Sequence, residues 1–338
     1  MIADARASSS SGGGRGRAIG WLLCSLLAAL GVLGPWTTIH RPGDQFAEFV
    51  YAPPMVPRLF DASGRLHAPF IYPLVLEDRL ERRYAEDQTR IVPLRWFRGG
   101  ALLSTEPALG MPWFPLGTDA LGRDQFARLA GGTRLSLGVA LAGALGALVI
   151  GALAGSIAAL ARRSIDDALM RASDFVLALP AVYVVLALRA SMPLVLTTSQ
   201  VFWTIALVLA AVGWPLPARG VRAVVASEKA REYAEAARAI GASRTRLLLR
   251  HLLPAARGFL IVQTTLLLPA FVLAEATLSF VGLGFSEPSP SWGAMLREAG
   301  QGRALVEAPW LLTPALAIVA AALAVHLSVG PNPHAHRT

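Results

Sequence analysis

Six separate stretches of this 338-residue chain are apolar enough to cross a lipid bilayer, and that repetition constrains the fold more than any other feature. A helix needs about 20 residues to span the hydrocarbon layer. The stretches run from Ala18 to Pro35, about Leu135 to Ala161, about Phe175 to Leu196, about Val201 to Leu216, about Phe259 to Val281, and about Trp310 to Val329. The fourth is the shortest. Hydrophobic residues make up 54% of the chain and the mean hydropathy is positive, a composition for several membrane spans rather than one soluble core. The expected fold is an all-α polytopic membrane protein with six transmembrane helices.

The first stretch also fits a secretory signal, with Arg15 and Arg17 ahead of its apolar core. Gly34, Pro35 and Trp36 follow it, instead of a small-x-small cleavage pattern, so a retained helix is expected. Orientation follows from basic residues near span ends. Arg6, Arg15 and Arg17 precede span one, and Arg162, Arg163 and Arg171 lie between spans two and three. Nine Arg or Lys residues run from Arg219 to Arg257, against Glu228, Glu232 and Glu235. These segments alternate correctly to share the cytoplasmic side. From Thr38 to Gly131, by contrast, eleven arginines face eleven acids. Both termini are therefore expected in the cytoplasm, and topology accounts for the net charge of +9 without nucleic acid as a partner.

The domain plan that follows is a cytoplasmic tail (1–17), helix one (18–35), an external insert (36–134), a five-helix transmembrane domain (135–329) and a short cytoplasmic tail (330–338). The insert is too polar to span, and Pro53, Pro54, Pro57, Pro69 and Pro73 punctuate it. A long loop without structure is uncommon, so a small folded insert with some strands is expected. The charged run Leu74 to Glu86 reads as a short external helix. The single cysteine, Cys24, leaves no disulfide framework or cysteine metal site. His334 and His336 read as solvated tail residues.

The cytoplasmic segment 222–255 carries the most information. Arg231 to Ile240 is rich in Ala, Glu and Arg, which favour helix. Gly241 suits a left-handed helix terminus, Ser243 an N-cap, and Pro254 a stop or turn before span five. Helix, glycine turn and Arg-bearing helix also describe a DNA-binding helix-turn-helix. Here the segment is short and tethered to a span at each end, with no evident way to dimerise on a duplex. Protein docking is the better reading: Ala236 and Ala237 allow close approach of another surface, and Glu235 can pair with a basic group.

The spacing of Glu235, Ala236 and Ala237, then Gly241, then Leu253 and Pro254 resembles the EAA signature of bacterial ATP-binding-cassette import permeases. His251 stands where the general signature prefers an apolar residue, and dipeptide and oligopeptide permeases often carry His there. Leu116-Gly-Thr-Asp-Ala-Leu-Gly-Arg-Asp124, then Arg128 and Gly132 to Ser136, looks like the approach to span two in the second permease of dipeptide, oligopeptide and nickel importers. Gly213-Trp-Pro with Ala218, Arg219 and Arg222 resembles the run into its coupling segment. Glu275 to Gly284, Pro290-Ser-Trp-Gly293 and Pro309-Trp-Leu-Leu resemble the loop and span ends that follow. The resemblance departs in the insert from about Gly43 to Pro115, which is longer than in the plainest relatives. It departs again at Val329 to Thr338, where the usual Gly-Asp and Arg-Asp-x-x-Asp-Pro-like tail is missing.

The resemblance implies a coupling helix that sits in a cleft of a cytoplasmic ATPase, with ATPase-coupling residues Glu235, Ala236, Ala237, Gly241, Leu253 and Pro254. It also implies a sister permease, two ATPase subunits, an extracytoplasmic substrate-binding protein, and residence in the bacterial inner membrane. ATP and Mg would be bound by the partner ATPases and no cofactor by this chain. A P-loop needs Gly-Lys-Ser/Thr after a glycine-rich turn, and the only lysine, Lys229, sits in Ser227-Glu-Lys-Ala230. Glu275 lies inside span five, where a carboxylate marks either a pathway contact or a helix–helix hydrogen bond. Arg189 is expected to snorkel, and Gly143, Gly146, Gly151 and Gly155 to let helices pack closely. Two other classes stay open. A secondary transporter would need embedded ion-coupling residues or an inverted repeat. A membrane-anchored interaction protein would work through its insert.

Overall fold

The computed structural model describes residues 4–38, 40–78, 81–97, 103–105, 111–180, 183–184, 187, 196–301 and 307–329, with side chains left aside at 4–13 and 35. From the N-terminus the chain forms α1 (Asp4–Thr37), a stranded insert, α2 (Gln125–Leu160), α3 (Arg163–Ala178), α4 (Thr198–Gly213) and α5 (Pro215–Lys229). There follow α6 (Glu232–Ala239), α7 (Arg244–Leu247), α8 (Arg257–Val281), α9 (Trp292–Ala299) and α10 (Thr313–Ser328).

Four stretches among the described residues are long and apolar enough to cross a membrane: Gly14–Gly34 within α1, α2, α8, and Pro309–Ser328 with α10. A fifth arises if α4 and α5, bent by 46°, count as one span. Pro215 explains the bend, because its ring removes a helical amide and crowds the preceding turn. The expected third span falls largely on residues outside those described, as do Arg189 and the 330–338 tail with its two histidines. α2 starts well before Leu135 because Asp124 caps it: Oδ1 accepts the amides of Phe126 (2.9 Å) and Ala127 (3.4 Å).

The insert holds β1 (Arg58–Phe60), β2 (Leu66–Ile71), β3 (Leu74–Asp78), β4 (Arg83–Glu86), β5 (Val92–Trp96) and β6 (Leu103–Thr105). An antiparallel sheet runs β1-β2-β5-β6, and β3 and β4 form a separate hairpin. The expected helix at 74–86 is thus overturned: Leu74 pairs with Glu86, Val75 with Ala85 and Leu76 with Tyr84. Side chains alternate along β3, Leu74 buried and Val75 exposed, so period two wins over charge spacing. Tyr84 ties the hairpin down by donating its hydroxyl to the Val50 carbonyl at 2.9 Å. Ala52, Met55, Ile71, Leu74, Val92, Leu94 and Phe114 make the insert's core.

The chain divides into two compact units. One comprises Met1–Trp21, Leu137–Glu275 and Ala322–Thr338; the other comprises Leu22–Ser136 and Ala276–Ala321. In the first unit the α2 glycines do what their spacing implies. A Cβ at Gly146 would stand 2.8 Å from the Ala210 Cβ, one at Gly151 2.5 Å from the Pro217 Cβ, and one at Gly155 2.3 Å from the Ala218 carbonyl oxygen. The backbones of α2 and the α4–α5 pair meet too closely for any side chain there.

Candidate functional site

The segment 222–255 folds as helix, turn and helix. Glu232 and Glu235 sit in the first turn of α6 and Arg238 in its last, complementing the helix dipole at both ends. Gly241 follows with φ of +88° and no atom near its missing Cβ, so its conformation alone calls for glycine. Ser243 then caps α7, its hydroxyl accepting the Arg246 amide at 3.3 Å. A π-type turn, Leu248–Leu252, and the short Leu253–Ala255 helix, which contains Pro254 in its first turn, lead to α8.

An apolar cluster anchors the segment. Val221 and Val225 of α5, Ala234 of α6, and Leu247, Leu252 and Ala256 are buried together, with Ala152, Ala159 and Leu160 of α2 against them. Lys229 donates its ammonium to the Ala159 carbonyl at 3.2 Å, near the end of α2. The lone lysine is therefore a helix-end tie. Arg222 clamps Asp166 of α3 in a two-pronged pair and holds that carboxyl below its ordinary range. Arg219 pairs with Asp174 and donates to Ser173. Tyr233 donates its hydroxyl to Glu228 at 2.6 Å, and that bond pushes the phenol above its ordinary value.

The expected coupling residues divide over this frame. Glu235, Ala236, Gly241 and Pro254 lie at the surface, whereas Ala237 and Leu253 are half-buried against the apolar cluster. A groove of about 320 Å³ takes Ala237 and Gly241 into its lining together with Ile240, Ala242, Arg246, Arg250 and His251. Glu235, Ala236, Leu253 and Pro254 do not line it. Ile240 was missed in the sequence, yet it is 87% exposed, a large apolar side chain at the tip of an anchored turn. The signal was an apolar residue beside the left-handed glycine, out of phase with buried Ala234. Glu275 is fully buried in α8.

A second constellation lies in the other unit, in the run Leu116 to Arg128. Gly117 and Gly122 take φ of +72° and +70°, and a Cβ at Gly122 would strike the Phe46 carbonyl oxygen. The turn they make points Asp119 inward. Its Oδ1 accepts the amides of Leu121 (2.8 Å) and Arg123 (3.0 Å). Its Oδ2 meets Arg123 Nε at 2.7 Å and Arg128 Nη1 at 2.5 Å. Both guanidiniums also reach Glu287 and Glu298, with Arg123 Nη2 3.0 Å and Arg128 Nη2 2.8 Å from Glu298. Asp119, Arg123 and Arg128 are all at least 95% buried. Burial pushes the Glu298 carboxyl up to about 9, with the neighbouring Glu287 carboxyl adding to the rise and Arg123 opposing it. Nearby, Trp310 donates to the Thr118 carbonyl at 2.9 Å, and Trp292 donates its ring NH to Thr133 at 3.3 Å. Runs that looked separate in the sequence, at 116–124, 132–136, 290–293 and 309–312, thus meet in one place.

Comparison with known proteins adds the following. The family described as "Binding-protein-dependent transport system inner membrane component" matches residues 130–330. A candidate peptide permease protein of Brucella suis biovar 1 is 39% identical over 63% of this chain and 68% of its own length. The di/tripeptide transport system permease protein DppC of Pseudomonas aeruginosa is 32% identical over 92% of this chain and 84% of its own. The oligopeptide permease protein OppC of Bacillus subtilis is 38% identical over 59% of this chain and 62% of its own. A solved structure of the MetNI methionine ABC transporter, in inward-facing form, shares 20% identity over 58% of this chain and 90% of that chain. Its TM-score against this chain is 0.47.

Proposed function

Because this chain belongs to the family of binding-protein-dependent transport system inner membrane components, we propose that its surface at α6 and Gly241 receives a cytoplasmic ATPase that drives peptide import. It is a multi-pass membrane permease that forms part of a translocation pathway. Peptides are the cargo class because relatives over most of the chain are di/tripeptide and oligopeptide permeases.

The observation that carries the docking reading is the exposed Ile240 beside Gly241, on a segment whose inner face is firmly packed. An exposed apolar knob ringed by Arg246, Arg250 and His251 fits an apolar socket with an acidic rim on a partner. The packing also suits force transmission. A push on α6 is passed through Ala234 to Val221 and Val225, and through Arg222 to Asp166, so α3, α5 and the start of α8 move with it as one body. In this reading the surplus of arginine places the segment and both termini in the cytoplasm. A sister permease completes the pathway, a substrate-binding protein delivers cargo outside, and ATP with Mg is held by the ATPases. Glu275 is either a pathway contact or a helix-packing carboxylate.

The test is to replace Glu235 by Arg and Gly241 by Val and to measure ATPase pull-down and peptide uptake in intact cells. Both should fall while the chain still reaches the membrane. Undiminished binding and uptake in both variants would sink the reading.

A further inference from the structure

A cavity of about 930 Å³ opens in the second unit, between the β3–β4 hairpin, the turn before α2 and the residues just ahead of α10. That volume is in the range of small-molecule sites. Tyr51, Tyr84 and Trp310 give it aromatic walls, and a hydrogen bond fixes each of the three to the backbone. The Tyr51 amide donates to the Asp119 carbonyl at 3.0 Å, the Tyr84 hydroxyl to the Val50 carbonyl at 2.9 Å, and the Trp310 ring NH to the Thr118 carbonyl at 2.9 Å. Tyr51 and Trp310 also pack on buried Ala299, Ala308 and Leu311. The walls are therefore preformed, which lowers the cost of binding.

Arg82 brings a cation to this lining that is not committed to an acid. Its guanidinium carbon stands 5.3 Å from the centroid of the Tyr51 ring, and among the described residues no carboxylate pairs with it. Its neighbour Arg83 is engaged instead by Glu81, at 2.5 Å. A guanidinium held by a ring face keeps its planar fork of N–H donors for a carboxylate. Both residues of this contact take left-handed backbone, Tyr51 at φ of +55° and Arg82 at +52°. Non-glycine residues seldom do so, and such strain gathers at ligand sites. Glu307 adds a negative charge to the lining. Burial raises the Tyr51 phenol, and among the charges near it Arg82 pulls it down and Glu307 pushes it up, so opposite charges stand close to one ring.

We propose that this cavity is a peptide-binding subsite on the permease itself, in which Arg82 takes the C-terminal carboxylate of a short peptide and the aromatic walls take an apolar side chain. The proposal rests on peptides as the cargo class, as read above. Both signs of charge on one lining suit a zwitterion: a plain anion would meet Glu307, and a plain cation would meet Arg82. In the orientation proposed above the cavity opens outside, the side from which cargo arrives. A peptide would be held there before it enters the pathway.

The experiment measures equilibrium binding of radiolabelled Ala-Phe to the full-length chain in lipid nanodiscs, without ATPase, beside the same dipeptide with an amidated C-terminus. Wild type should bind Ala-Phe saturably at or below about 10 mM. Amidation and Arg82→Gln should each weaken binding about tenfold or more, and the variant should no longer tell acid from amide. Comparing the two ligands on wild type keeps the result independent of any folding defect in the variant. No saturable binding by wild type, or an equal loss on amidation in wild type and variant, would overturn the proposal. If Arg82→Gln instead weakens capture of the substrate-binding protein and leaves Ala-Phe binding as it was, the cavity receives that protein and the proposal falls. Ala-Phe uptake by intact cells separates the subsite from the cargo reading: uptake without binding at the cavity defeats the subsite alone, and neither uptake nor binding defeats both.

Discussion

The segment 222–255 keeps its charges at the surface and its apolar residues inside, while the cluster before α2 buries Asp119, Arg123 and Arg128 and leaves Glu287 partly open to solvent. In the first region Val225, Ala234 and Leu252 hold the shape, and Arg246, Arg250 and His251 are left accessible. In the second, Asp119, Arg123 and Arg128 are themselves the packing. The difference teaches where each region's specificity resides. Exposed charges add little to stability and much to partner choice. Buried charges add little net stability but punish any other arrangement, because losing one partner strands the rest. The first region suits docking, and the second suits holding segments of a polytopic chain in a single register.

Breaking this contrast starts with Arg128→Met. It leaves Asp119 and Glu298 short of a cation, and a loss of about 3–5 kcal/mol is expected in denaturation of the chain in nanodiscs. The matching change at the surface, Arg246→Met, should leave that melting curve in place while weakening ATPase capture; equal destabilisation by both would erase the contrast. Next in size is Ile240→Asp. It should weaken ATPase binding about tenfold or more in a pull-down titration, at unchanged stability. Gly241→Val should cost about 1–2 kcal/mol locally, since a β-branched residue must take φ of +88°. Nothing stands where its side chain would go, so Gly241→Asn, which tolerates that φ, should recover most of the lost uptake. The smallest effect is expected at the exposed Arg58–Glu86 pair of the insert, where Arg58→Gln should shift stability by less than about 1 kcal/mol.

Particular elements show how far the sequence reaches. Span positions at α1, α2, α8 and α10 followed from apolar length alone, because lipid demands it of any helix. The glycine contacts of α2 followed from small residues repeated along a helix, and the Gly241 turn with its Ser243 cap followed from backbone preferences that act within a few residues. The β3–β4 hairpin was misread because its charges are spaced as in a helix, and only pairing with a partner strand and burial of Leu74 decided otherwise. The exposure of Ile240 depends on which neighbours Ala234 and Leu252 take, which no local pattern states. The ionic cluster was legible only as a motif. Asp119, Arg123 and Arg128 stand close in the chain, but Glu287 and Glu298 come from far along it. Local chemistry, then, settled which described helices are long and apolar enough to cross a membrane and where the segment 222–255 turns. Which charges are buried together was decided by tertiary structure, because desolvation depends on everything packed around a group and on nothing in its immediate sequence.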